Sequence, residues 1–135
     1  RWFIPVDRKS KEDKVLCLRK IKSALSEGKN VLLFPEGGRM TKEDIEAGKL
    51  LNEMLLPTFS AAVDQKIEIL PVVIHAQNFC YKDHFTIRPQ TIKISFLDPL
   101  AMSGSEKKED IRDLVSSLMK RELLRERLLR ERLRK

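Results

Sequence analysis

The stretch Phe34-Pro35-Glu36-Gly37-Gly38-Arg39 places a carboxylate, two residues without side chains and a guanidinium directly after an apolar run. Two glycines let backbone N–H groups come close to an oxyanion, and an arginine clamps a phosphate through two parallel hydrogen bonds. The chemistry on offer is anion binding at the end of a strand, the edge where open α/β sheets take ligands. The same residues also suit an ordinary surface turn with a Glu–Arg ion pair, because Gly-Gly turns are common. A second arginine, Arg8, follows Trp2-Phe3-Ile4-Pro5-Val6-Asp7, which reads as a short strand emerging at the sheet's C-terminal edge, with Pro5 arguing against a central position.

Other chemistry-bearing residues lead less far. His75, Cys80 and His84 lack a fourth zinc ligand at a recognisable spacing, so no metal is expected; they read as a strand-end histidine, a buried thiol and a loop histidine. Lys82-Asp83-His84 reads as a solvated loop.

The elements that must position Arg8 and Arg39 follow from capping and periodicity. Ser10 with Asp13 resembles a capping box, and Val15, Leu18, Ile21 and Leu25 recur at helical spacing until Gly28 supplies a stop. Residues 30–35 form a continuous apolar run, as expected for a strand buried on both faces of a parallel sheet. Thr41 with Asp44 starts a second helix whose buried face would comprise Ile45, Leu51, Met54 and Leu55, interrupted by Gly48 and ended by Pro57. A short helix at 60–63 leads to strands at 68–75 and 91–97, and from Ser105 one long helix carries the stripe Ile111, Leu114, Val115, Leu118. Strands alternating with helices imply an α/β fold, a mostly parallel sheet flanked by helices, with a long basic C-terminal helix.

At 135 residues and 15.7 kDa the chain suffices for one core, and its 41% hydrophobic content excludes a wholly disordered chain. Its longest apolar runs fall far short of the roughly 20 residues a spanning helix needs, and no secretory signal is expected. Two cysteines make no disulfide framework, which points to a reducing compartment. The net charge is +7, of which residues 118–135 hold eight basic against three acidic side chains. This tail suggests an anionic surface. Nucleic acid is not expected, since the charge stands without aromatic interleaving or a recognised module. In the tail, Leu123-Leu124-Arg125-Glu126-Arg127 repeats as Leu128-Leu129-Arg130-Glu131-Arg132. A five-residue period advances about 140° per repeat, so the leucines spread around the axis and a fraying helix is expected. Glu126–Arg130 and Glu131–Lys135 are favourable i,i+4 pairs, Arg121–Arg125 and Glu122–Glu126 unfavourable ones.

Three blocks in order resemble the glycerophospholipid acyltransferase family, which includes the 1-acylglycerol-3-phosphate acyltransferases. Residues 34–39 resemble its Phe-Pro-Glu-Gly-Thr-Arg block, Val6-Asp7-Arg8 the end of the preceding block, and Ile69-Leu70-Pro71-Val72-Val73-Ile74 its later Pro-containing strand. The resemblance covers roughly residues 3–98. It implies acyl transfer from acyl-CoA or acyl-carrier protein to a lysophospholipid such as 1-acylglycerol-3-phosphate. Arg8, Glu36, Gly37, Gly38 and Arg39 would then form the acceptor-phosphate site, and Pro35 and Pro71 would be structural near it. The donor is a substrate, and no metal or prosthetic group is implied. Residues 1–104 would be part of the acyltransferase domain and 105–135 a helical basic tail, at the cytoplasmic face of a membrane. The alternative is a noncatalytic peripheral module that binds anionic lipid.

Departures accompany the matches. Gly38 stands where the family usually has Thr, Met40 where it has Ser, and Trp2 and Pro5 where the second block often has Gly and an aromatic. The family's catalytic His-x-x-x-x-Asp block precedes Val-Asp-Arg, and the chain is expected to begin too late to contain it. Five residues after His75 and His84 stand Cys80 and Pro89. An attacking alcohol must shed a proton, usually to a histidine, so this chain alone is expected to be inactive.

Overall fold

Helix α1 (Lys11–Ser26) begins where the sequence places it: Ser10 Oγ accepts from Asp13 N–H at 3.1 Å. It ends in a Schellman arrangement, with Gly28 at φ +75°. There Gly28 N–H donates to Leu25 O and Lys29 N–H to Ala24 O. The structure, a computed structural model, describes residues 3–7, 9–38, 40–75 and 92–133. After α1 come α2 (Lys42–Glu46), α3 (Leu56–Asp64), β1 (Val72–His75), β2 (Lys93–Phe96) and α4 (Lys108–Arg132).

Thr41 and Asp44 cap α2 reciprocally, each backbone N–H donating to the other's side chain at 3.1 Å. The helix is only five residues long, because Gly48 takes φ +78° and the chain leaves it there. Leu51 and Met54 are buried as expected, but from a stretch outside any helix, and Leu55, expected on the same buried face, is exposed. Pro57, read as a stop, sits in the first turn of α3, where a missing N–H costs nothing.

The expected mostly parallel sheet flanked by helices is not what forms. The described sheet has two strands, β1 and β2, paired antiparallel with Val72 opposite Phe96 and Ile74 opposite Ile94. A parallel pair needs a crossover, usually a helix; here the described helices precede and follow the pair instead of separating it. Residues 3–7 and 30–35 form no strand. Leu32 and Phe34, expected to be buried on both faces, lie mostly in solvent. A continuous apolar run becomes a central strand only when neighbours supply ladder partners, and residues 31–33 make no ladder bond to another described residue.

The expected long helix does form, but its buried stripe keeps only Ile111 and Val115 of the expected residues: Leu114 is exposed, Leu118 is half-buried, and Met119 and Leu123 take their place at the centre of the core. Ile111, Val115, Met119 and Leu123 are buried against Met54, Phe59, Val63 and Val73. Burial of each such side chain contributes about 1.5–3 kcal/mol, against a few tenths for each surface ion pair along the tail. Ahead of α4, Glu106 accepts from Ser103 N–H and Oγ and from Gly104 N–H, which pulls its carboxyl down to about 2. Beyond Leu123 the leucines do spread around the axis: Leu124, Leu128, Leu129 and Leu133 are all exposed.

A polar chain runs through the α4–sheet contact. His75 Nε2 lies 3.0 Å from Ser95 Oγ, which donates to Glu122 Oε1 at 2.9 Å; Arg125 Nε approaches the other Glu122 oxygen at 3.1 Å. One turn on, Glu126 pairs with Lys93 and, at 3.2 Å, with Arg130. The Glu122–Glu126 repulsion expected from sequence is thus offset, each carboxylate having its own cation.

Burial holds the His75 imidazole below its ordinary pKa, outweighing the attraction of Glu126 and Glu122. A histidine depressed in the folded state binds its proton more readily when unfolded. Its contribution to stability is therefore complete above the ordinary value of about 6.5 and is lost as pH falls through the folded value. Melting temperature should drop on acidification from pH 7 to 5, and His75→Gln should flatten that slope; an unchanged slope would exclude His75 as its source.

Candidate functional site

The turn at residues 34–38 is held by three restraints. Pro35 presets the backbone at the second turn position, and Gly37 N–H closes the turn on Phe34 O at 3.1 Å. Gly37 then takes φ +66°, a conformation costly to any residue with a Cβ, and a Cβ there would lie 2.8 Å from Leu55 Cδ1. Finally, the neighbouring stretch is stitched to the turn: Leu55 N–H donates to Pro35 O at 2.8 Å, and Asn52 N–H to Glu36 Oε2 at 2.8 Å. Asn52 Nδ2 adds a bond to Gly38 O at 3.3 Å. That stretch can hold the turn because Leu51 and Met54, on either side of Asn52, are anchored in the core.

These contacts divide the sequence-predicted residues. Glu36 is half-buried and spends a carboxylate oxygen on the Asn52 backbone, so it ties the turn down. Gly38 is open: nothing lies within 4 Å of where its Cβ would be, so its backbone is the approachable part of the turn. Pro71 is buried just before β1, and its carbonyl accepts from Leu97 N–H at 3.0 Å. Arg8 and Arg39 lie outside the described residues, as do Cys80 and His84. Among the described residues no three His, Cys, Asp or Glu side chains converge as a metal site.

On the far side of Asn52 a groove of about 260 Å³ runs between residues 51–54 and α4, lined among others by Glu53, Arg112, Asp113 and Lys120. Arg112 is held there by Asp113 at 2.8 Å and lies 4.0 Å from Glu53. The Asp113 contact pushes the guanidinium pKa up and the Asp113 carboxyl down. Its charge is already countered within the groove.

Sequence reading missed two groups. Asn52 and Leu55 were assigned to a helix, and a polar residue between apolar neighbours signals nothing at a helical period. Glu122 could have been noticed, because it falls in register with the buried stripe through Ile111, Val115 and Met119, where a charge needs a partner.

Residues 2–75 match the family model described as Acyltransferase. No curated protein matches the chain significantly. Among solved structures, the chain resembles the 1-acyl-sn-glycerophosphate (LPA) acyltransferase PlsC from Thermotoga maritima, with a TM-score of 0.69 and 22% identity. The match covers 82% of this chain and 44% of that one, so the chain spans less than half the length of that relative.

The turn geometry sets a contrast between neighbouring glycines. Gly37→Ala should destabilise by about 1–3 kcal/mol, from left-handed backbone strain and the displaced Leu55, whereas Gly38→Ala should shift the denaturation midpoint negligibly. Equal midpoints for the two variants would show that the turn does not need its left-handed residue.

Proposed function

The chain belongs to the acyltransferase family, and from that premise we propose that it forms the acceptor-side part of a longer glycerophospholipid O-acyltransferase. In this reading an acyl group passes from acyl-CoA or acyl-carrier protein to the free hydroxyl of a lysophospholipid such as 1-acylglycerol-3-phosphate. The observation that carries the proposal is the family match over residues 2–75, which spans both arginine blocks and the tethered turn between them.

Arg8 and Arg39 hold the acceptor phosphate by charge-assisted hydrogen bonds, and the exposed backbone at Gly38 lets the phosphate approach. Glu36 and Gly37 serve indirectly, by setting the turn that precedes Arg39 in the sequence. Holding the phosphate fixes the hydroxyl against the thioester carbonyl, and positioning of this kind is worth several kcal/mol of barrier. As the hydroxyl oxygen attacks, its proton passes to a general base; the acyl–sulfur bond then breaks and the thiol leaves. The base is a histidine of the His-x-x-x-x-Asp kind outside residues 1–135, since neither His75 nor His84 has an Asp five residues on.

The basic end of α4 fits contact with an anionic membrane. Arg125, Arg127, Arg130 and Arg132 stand among exposed leucines, and each basic residue near such a surface contributes about 1 kcal/mol. No helix among the described residues is long and apolar enough to cross a membrane. Without a base, the same features would make a noncatalytic anionic-lipid-binding module.

Arg39→Lys keeps the charge but loses the planar fork. In the full-length product of the gene it should lower acyl transfer to 1-acylglycerol-3-phosphate at least tenfold; undiminished transfer would remove Arg39 from the site. Removing residues 127–135, which lie beyond the buried Leu123 and the Glu126–Lys93 pair, should abolish salt-sensitive sedimentation with anionic vesicles. Unchanged sedimentation with an altered oligomeric state would instead make the tail an association element.

A further inference from the structure

Among the described residues, the β1–β2 pair is covered on one face only. Alternation places Val73, His75, Lys93 and Ser95 toward α4, where Ser95 and Lys93 meet Glu122 and Glu126. The opposite face carries Val72, Ile74, Ile94 and Phe96, which pair directly across the strands, and Leu70 and Ile92 extend the same alternation. Every one of these is apolar, yet Phe96 is 69% and Ile94 50% exposed. A sheet face of this composition belongs against a second layer.

We propose that this face is the docking surface for an apolar layer of polypeptide of the same protein, lying outside residues 1–135. The proposal rests on the reading of these residues as one part of a longer acyltransferase. Three observations select that occupant over a second copy or a bilayer. The fold match covers 82% of this chain but only 44% of the Thermotoga structure, so more than half of that relative's length has no counterpart here. The five exposed side chains of this face, all but Val72, at roughly 200 Å² each and about half exposed, offer on the order of 500 Å², short of the about 800 Å² per partner of a standard stable interface. Finally, the face carries no charge of its own, and the basic residues of α4 belong to the layer on the other side of the sheet. A flat anionic bilayer that engages the tail therefore cannot also cover this face.

The test is photo-cross-linking in the full-length product of the gene, with p-benzoylphenylalanine replacing Phe96 and, separately, Ile94, so that a folding defect at one position does not decide the outcome. After irradiation in lipid-free buffer, the expected adduct has monomer mass and joins the probe to a peptide outside residues 1–135, at least tenfold over any other adduct. A dimer-mass adduct, an adduct within residues 1–135, one that needs added vesicles, no adduct at all, or a gene product that extends no further overturns the proposal. Acyl transfer by the unsubstituted protein is measured alongside. The expected adduct without transfer leaves the docking surface standing and removes the functional reading, and transfer without the adduct does the reverse.

Discussion

Helix α4 packs on a two-stranded sheet through an apolar stripe into which a buried carboxylate is set, and the rest of the structure depends on satisfying that carboxylate. A charge left unpaired at such a contact would cost several kcal/mol, comparable with what two or three buried aliphatic side chains contribute. Glu122 meets this demand with Ser95 on one side and Arg125 on the other, while Ser95 is shared with His75. The requirement fixes α4 in both register and rotation. The core that follows, from Val73 through Val115 to Met54, then holds the stretch carrying Asn52 and Leu55.

From that stretch the constraint passes to the candidate site. The turn after Phe34 has little packing of its own: Phe34 is mostly exposed, and the restraints come from the backbone N–H groups of Asn52 and Leu55. A family block rich in glycine is therefore held from one side and open on the other, at Gly38. On the proposed reading, held and open sides together suit a loop that offers its backbone to a phosphate without closing over it.

Local signals were legible in the sequence and long-range pairing was not. The caps at Ser10 and Thr41 and the stop at Gly28 were readable because each is decided within about five residues. The direction of pairing between β1 and β2 depends on contacts 18 to 24 residues apart, and apolar content at 30–35 says nothing about whether ladder partners are present. Pro57 was ambiguous for a physical reason: the same missing N–H ends one helix and opens another. Of the candidate site, Glu36, Gly37 and Gly38 were identifiable by type. That Glu36 braces the turn through Asn52 was not, since the bond spans 16 residues.

The central claim is that one phosphate is held jointly by Arg8 and Arg39 beside the Gly38 backbone. An experimental structure of the full-length protein with bound 1-acylglycerol-3-phosphate tests it most directly. The predicted result places the phosphate oxygens within hydrogen-bond distance, about 3 Å, of both guanidinium groups. A phosphate bound elsewhere, or touching neither arginine, would contradict it.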